Sequence, residues 1–254
     1  MSQRIRRAGD RAGRVAVALF LATLPACRAA HMPIPEELIP VTTMPVSGRQ
    51  GFLPGRHLSF GAFEVRELDR SWTRGRERDD EGPVGLRTAE GQYRQRYAFH
   101  LYDGDREIWR AQCQTDAQAV ARETALANVT EVRRALSLEC LFTPPDSAAP
   151  TWRLALEATG ERPPAGAMAG EGRRFQVEGI AALQGTSIAS GRPSGYYVLD
   201  GVRALAAIEV LNDGAVRIAL DLSPADRDAI GGAAMALLLF DDLQDVTDQL
   251  APGK

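Results

Sequence analysis

The chain has 254 residues, 30 basic against 33 acidic side chains, and a formal net charge of −3. Its 44% apolar residues are enough for a folded core, which excludes a disordered, charge-dominated chain. The near balance of charge leaves no basic footprint for nucleic acid, and Lys254 is the only lysine, so the arginine excess runs through the whole chain and is no phosphate signal.

Arg4, Arg6, Arg7, Arg11 and Arg14 precede an apolar run, Val15 to Leu24. A basic segment followed by a short apolar core reads as an export signal, residues 1–26. The run is about ten residues where a spanning helix needs about 20, so it is not read as a permanent transmembrane anchor.

Leu24-Pro25-Ala26-Cys27 resembles the lipobox of bacterial lipoproteins. The resemblance implies cleavage before Cys27, a diacylglycerol on its thiol and a further acyl chain on the new amine. Each buried methylene adds about 0.8 kcal/mol, and two or three chains together anchor a protein stably. Arg28 stands where, in enteric-type sorting, an aspartate would retain the protein at the inner membrane. The implied address is the bacterial cell envelope: an outer-membrane lipoprotein facing the periplasm or the cell surface. After cleavage the chain has 25 basic and 32 acidic residues, a formal charge of −7. The partners expected are the membrane, through the lipid, and an envelope protein. Nucleic acid is not expected, and the oligomeric state is left open.

Residues 27–55 read as a lipid-anchored tether, because Pro33, Pro35, Pro40, Pro45 and Pro54 punctuate them without an apolar period. Residues 56–250 read as a single β-rich domain. Phe60, Phe63 and Val65 mark a first apolar stretch, 57–68. The charged, glycine-bearing run 74–92 reads as a solvated, mobile loop. Tyr97, Phe99 and Leu101 then alternate with polar neighbours, Asp103-Gly104 signals a hairpin turn, and Ile108 to Cys113 returns. Residues 116–136 stay open between a helix from Asp116 and a strand around Val129–Val132. Leu136–Phe142 and Trp152–Leu156 are clear strands. Residues 160–172, rich in Gly, Ala and Pro, read as a flexible loop. Phe175–Val177, Tyr196–Leu199, Val202–Val210 and Val216–Leu220 complete about eight to ten strands, the last pair joined at Asn212-Asp213-Gly214. Such short connections leave no room for crossover helices, so the sheet should be mainly antiparallel.

Ser223-Pro224-Ala225-Asp226 is a helix start: a capping serine, proline in the first turn and an acid three residues on. The helix, expected over about 224–242, is apolar on every side from Ile230 to Phe240, and such a helix must be buried on every side. It is too short to span a bilayer. In a chain of strands its natural place is inside a curved or closed sheet. The fold class is therefore mainly β (α+β), a closed or strongly curved antiparallel barrel around a hydrophobic carboxyl-terminal helix. This series of strands and turns followed by the 224–242 helix resembles the tubby-like fold of the tubby, phospholipid-scramblase and LURP-one-related families. The resemblance implies a closed barrel surrounding the helix. No residues match a basic phosphoinositide site.

Cys113 and Cys140 each fall on the apolar face of a strand. Exported chains meet an oxidising compartment, so the two are expected to form a disulfide. No cofactor or metal is expected, since only His57 and His100 accompany these cysteines in the domain. A catalytic set is likewise not expected. Gly185-Thr186-Ser187 opens like a nucleophile elbow but lacks its closing glycine, Ala189 standing in that place. Asp103 and Asp105 lack further ligands at calcium-loop spacing. Asp241, Asp242 and Asp245 read as the solvated end of the helix, and Trp72, Trp109 and Trp152 as core or rim residues.

Overall fold

The computed structural model describes residues 29–49, 57–81, 86–124, 129–160, 162–187 and 189–248. The signal segment and Cys27 lie outside the described residues. Among those described, thirteen strands share one antiparallel sheet. They are β1 (Met44–Pro45), β2 (Ser59–Phe60), β3 (Phe63–Arg70), β4 (Arg74–Glu81), β5 (Leu86–Asp103), β6 (Arg106–Thr124), β7 (Val129–Thr143), β8 (Trp152–Thr159), β9 (Ala165–Gly170), β10 (Arg173–Ile180), β11 (Gly195–Asp200), β12 (Arg203–Glu209) and β13 (Ala215–Ile218). One helix, α1 (Pro224–Asp248), follows.

From β5 to β13 the sheet is an up-and-down meander in which each strand pairs with the next. β1 pairs with β13 at Met44↔Val216 and Pro45↔Ala215. Two residues on, Ser47 and Ser59 exchange backbone hydrogen bonds of 2.8 and 3.0 Å, joining this segment to β2. The ring thus closes through a narrow stave. Turn chemistry serves the meander where backbone of positive φ is required: Gly104 at 61° between β5 and β6, and Asn212 and Gly214 at 55° and 90° between β12 and β13.

α1 threads the ring. Ser223 caps it, its Oγ accepting from the Asp226 amide at 3.1 Å and donating to the Asp226 carboxylate at 2.8 Å. Every residue from Ala229 to Phe240 is buried. Phe63, Phe99, Phe142, Phe175 and Tyr196 are buried in the same core. The close approach that the helix glycines permit is to these rings: a Cβ on Gly231 would stand 2.7 Å from the Phe63 ring, and one on Gly232 3.0 Å from Phe142. The exit is held by side chains of the wall, since the Tyr97 hydroxyl donates to the Ala236 carbonyl at 2.9 Å and Arg70 to that of Leu239 at 2.7 Å. These bonds satisfy main-chain oxygens inside an apolar barrel. No helix among the described residues is long and apolar enough to cross a membrane.

Cys113 and Cys140 are directly opposite on β6 and β7 and are joined by a disulfide with S–S 2.02 Å. The bridge closes a 27-residue separation. Replacing both by alanine should lower the free energy of unfolding in urea by about 3 kcal/mol.

Three expectations are corrected and one open choice is decided. Residues 74–81 and 86–92 are not a loop. β4 pairs with the front of β5 from Arg74↔Arg94 to Glu81↔Arg87. The apolar alternation is missing because this sheet leaves the barrel and is wet, and Tyr93 lays its ring over Gly75 and Gly91, where a Cβ would meet it at 2.6 and 2.7 Å. The open choice over 116–136 resolves to strand for 116–124 and 129–136: β6 continues to Thr124 and β7 begins at Val129, paired from Thr124↔Val129 onward. Continuous ladders on both sides override the alanine helix propensity. Residues 165–170, within the expected flexible loop, form β9; a Cβ on Gly166 would fall 2.0 Å from the Ala155 carbonyl oxygen, so the small residues serve close strand packing.

The third correction concerns the tether, of which residues 29–49 pack on the barrel. Met32, Leu38, Val41 and Val46 are buried. The first three cover Ala204, Ala207 and Ala219 on the outside of β12 and β13. The Tyr197 hydroxyl donates to the Pro33 carbonyl at 2.7 Å, Asn212 to that of Ala30 at 2.9 Å, and Arg217 to those of Leu38, Ile39 and Val41 at 3.0 to 3.2 Å. This strap runs down the outer wall, turns after Leu38, and returns as β1 and Ser47.

Candidate functional site

The mouth of the barrel where α1 enters holds a cleft of about 490 Å³. Its walls are the starts of β6 and β8 (Ile108, Trp109, Trp152), Pro144 and Pro145 after β7, and the first two turns of α1 (Ala225, Asp228). Arg106, Glu107, Asp146 and Glu171 form the charged rim.

Trp109 and Trp152 are buried, so the cleft meets them at their edges. Trp109 packs edge-on against Phe142 at 6.3 Å between centroids, and Trp152 stacks on Phe175 at 5.7 Å. The Trp109 Nε1–H donates to the Asp228 carbonyl at 2.9 Å. The Trp152 Nε1 and the neighbouring Thr151 hydroxyl are buried with no partner among the described residues. An unmet buried donor is uncommon and costly. Substituting phenylalanine at either tryptophan removes the same ring, but only Trp109→Phe breaks a bond. Trp109→Phe should therefore destabilise by about 1 kcal/mol more than Trp152→Phe in parallel urea titrations.

Arg106 grips both carboxylate oxygens of Asp228, at 2.9 and 3.2 Å. That hydrogen bond raises its pKa above the ordinary arginine value. Asp103 adds contacts of 3.5 Å to Arg106 and 3.7 Å to Arg227. The Glu107 carboxyl is held below its usual range, first by its hydrogen bond to Arg110 and also by the charge of that arginine. Glu171 adopts a φ of 49°, the left-handed region, in the tight β9–β10 turn, and its side chain is exposed at the rim. The cleft thus combines an apolar floor with a rim in which fixed ion pairs sit beside exposed carboxylates. This suits non-covalent binding. Among its lining residues there is no histidine, serine or cysteine.

The residues singled out by sequence do not assemble into one site. His100 lies outside the wall, its Nδ1 2.9 Å from Glu107 and its Nε2 3.7 Å from Glu67. His57 is 3.6 Å from Glu64, and His31 pins the strap to Glu209 at 2.9 Å. Gly185, Thr186 and Ser187 lie in the β10–β11 connection, at the opposite end of the barrel from the cleft. Asp103 makes ion pairs and Asp105 is exposed. Among the described residues no group of three or more His, Cys, Asp or Glu side chains is placed to hold a metal ion. Trp109 and Trp152 join in the cleft, whereas Trp72 is 92% exposed between β3 and β4. The side chains of Asp241, Asp242 and Asp245, and Cys27 itself, lie outside the described residues.

No protein family matches the chain, and neither does any curated protein or solved structure.

Proposed function

We propose that the protein is a lipid-anchored lipoprotein of the bacterial cell envelope whose barrel is a non-catalytic binding module. The lipobox-like Leu24–Cys27 supports the anchor. The observation that carries the module is the filled barrel: α1 occupies its axis from Ala229 to Phe240, wholly buried, and the binding cleft is outside, at the mouth. A filled interior favours recognition at the surface over carriage of a hydrophobic ligand within. The ring around a buried carboxyl-terminal helix also supports the resemblance to the tubby-like families, here with the cleft of Trp109, Trp152 and Glu171 in the role of recognition surface.

The anchor is tested by expressing the wild-type chain and Cys27→Ala in a Gram-negative host fed an alkyne palmitate. The wild type should take up label and sediment with membranes. The variant should lose the label and appear in the soluble fraction. Equal label and sedimentation in both would remove the lipoprotein reading.

A further inference from the structure

We infer that the protein rests on the bilayer with its strap-covered wall, touching lipid through Ile39, Val202 and Leu220. The inference depends on the lipid anchor at Cys27 proposed above.

Cys27 is three residues before Ala30, and Ala30 is already fixed to the barrel through Asn212. Three residues reach about 10 Å at full extension. The β12–β13 rim must therefore lie close to the membrane surface, because no free tether intervenes. This rim is at the end of the barrel where α1 exits.

The same end carries the arm formed by β4 and the extensions of β5, β6 and β7. β8 stops at Thr159, opposite Ala135, while β5 runs on to Leu86 and β6 to Thr124. The seven residues from Gln118, opposite Ala135, to Thr124 make the arm about 20 Å long. It cannot enter hydrocarbon, because Arg76, Arg78, Asp80, Glu90, Arg94 and Gln118 are exposed on it. β6 stands diametrically across the ring from β12. With the anchor at one rim and a polar arm continuing from the opposite rim, a barrel standing on its exit end would drive the arm into the bilayer. The barrel must lean over toward the strap, which brings the outer wall of β11, β12 and β13 down.

That wall carries three of the large exposed apolar side chains. Val202 is 98% exposed, Leu220 86% and Ile39 62%. Ile39 follows Leu38, which belongs to the same buried cluster as Ala204 and Ala219; Val202 is two residues from the first of these and Leu220 adjoins the second. The three therefore crown one small region, at the end of the strap away from the anchor. A lipid at one end of the wall and an apolar tip at the other give two points of contact. Glu36 and Glu37 are exposed beside Ile39, and Arg203 and Asp221 pair between the strands, so the contact is shallow and apolar and not electrostatic.

The test uses the full-length protein, purified from membranes and reconstituted in phosphatidylcholine vesicles, with the Cys27 adduct confirmed by mass. Single cysteines for an environment-sensitive fluorophore replace Val202, Leu220 or, on the arm, Gln118. Nitroxide lipids should quench the probes at 202 and 220 several-fold more than the probe at 118, at low and high salt alike. A Gln118→Cys probe quenched as strongly as the other two would overturn the orientation while leaving the anchor standing. A missing lipid adduct would remove the anchor and the orientation together.

Discussion

Replacing Leu237 by aspartate should leave the barrel unable to fold at neutral pH. Leu237 is fully buried in α1, surrounded by the aromatic core of the wall. A carboxylate there loses its hydration and finds no cation, and the effective penalty is several kcal/mol or more. A domain of this size holds about 5–15 kcal/mol in all, so one such group takes most of it. The carboxyl would fold only in its neutral form, which raises its folded pKa above the unfolded value of about 3.9. The folded state then binds the extra proton, and stability falls as pH rises through and above that value. Relative to wild type, Leu237→Asp should be least damaged below about pH 4 and most damaged at pH 7. Far-ultraviolet circular dichroism across pH, with urea midpoints, measures this. Leu220→Asp is the control, because Leu220 is exposed and its change should leave the midpoint unmoved. A folded Leu237→Asp protein with an unchanged midpoint would mean that the helix is not the core of this fold.

The legible parts of the fold are those in which one face is dry. Tyr97, Phe99 and Leu101, or Trp152, Leu154 and Leu156, alternate because their dry face lies in the core that holds α1, and α1 is apolar from Ala229 to Phe240 because that stretch is buried on all sides. Where both faces are wet, the same backbone leaves no such pattern. Residues 74–81 form a regular ladder from seven charged residues and Gly75, so charge density reads as a loop. β9 is hidden for another reason: Gly166 and Gly170 are required for close approach to β8, and glycine in a sequence signals a break. The cleft was half legible. Trp152 opens β8 and Trp109 is near the start of β6, which marks a barrel rim, but Pro144 and Glu171 come from two different connections and Asp228 from α1, and they meet only once the ring is closed. The signal that could have found it is a rule of ends: in a meander, every second turn gathers at one mouth.

The strap is not legible in the sequence because its apolar residues obey no period. Met32, Leu38, Val41 and Val46 are spaced by chance of path and not by helix or strand, and five prolines surround them. Its removal should be the second severe change. A chain beginning at Gly48 lacks β1 and the Ser47–Ser59 bridge, which together join β13 to β2. It also lacks four buried side chains, each worth about 1.5–3 kcal/mol, for a loss of about 6 kcal/mol or more. The alanine face of Ala204, Ala207 and Ala219 becomes wet, and the ring gains two free edges. Hydrogen exchange should quicken first in β13, β12 and β2, while the β6–β7 ladder, held by Cys113–Cys140, stays protected longest. A synthetic peptide of residues 29–47 added in trans should slow exchange in those three strands again. A true tether would predict the opposite on every count: the same melting temperature without it, the same exchange, and no effect of the peptide. With the proposed anchor at Cys27, the strap that shuts this barrel would also be the segment nearest the lipid, and any force lifting that anchor would act first on the closure of the ring.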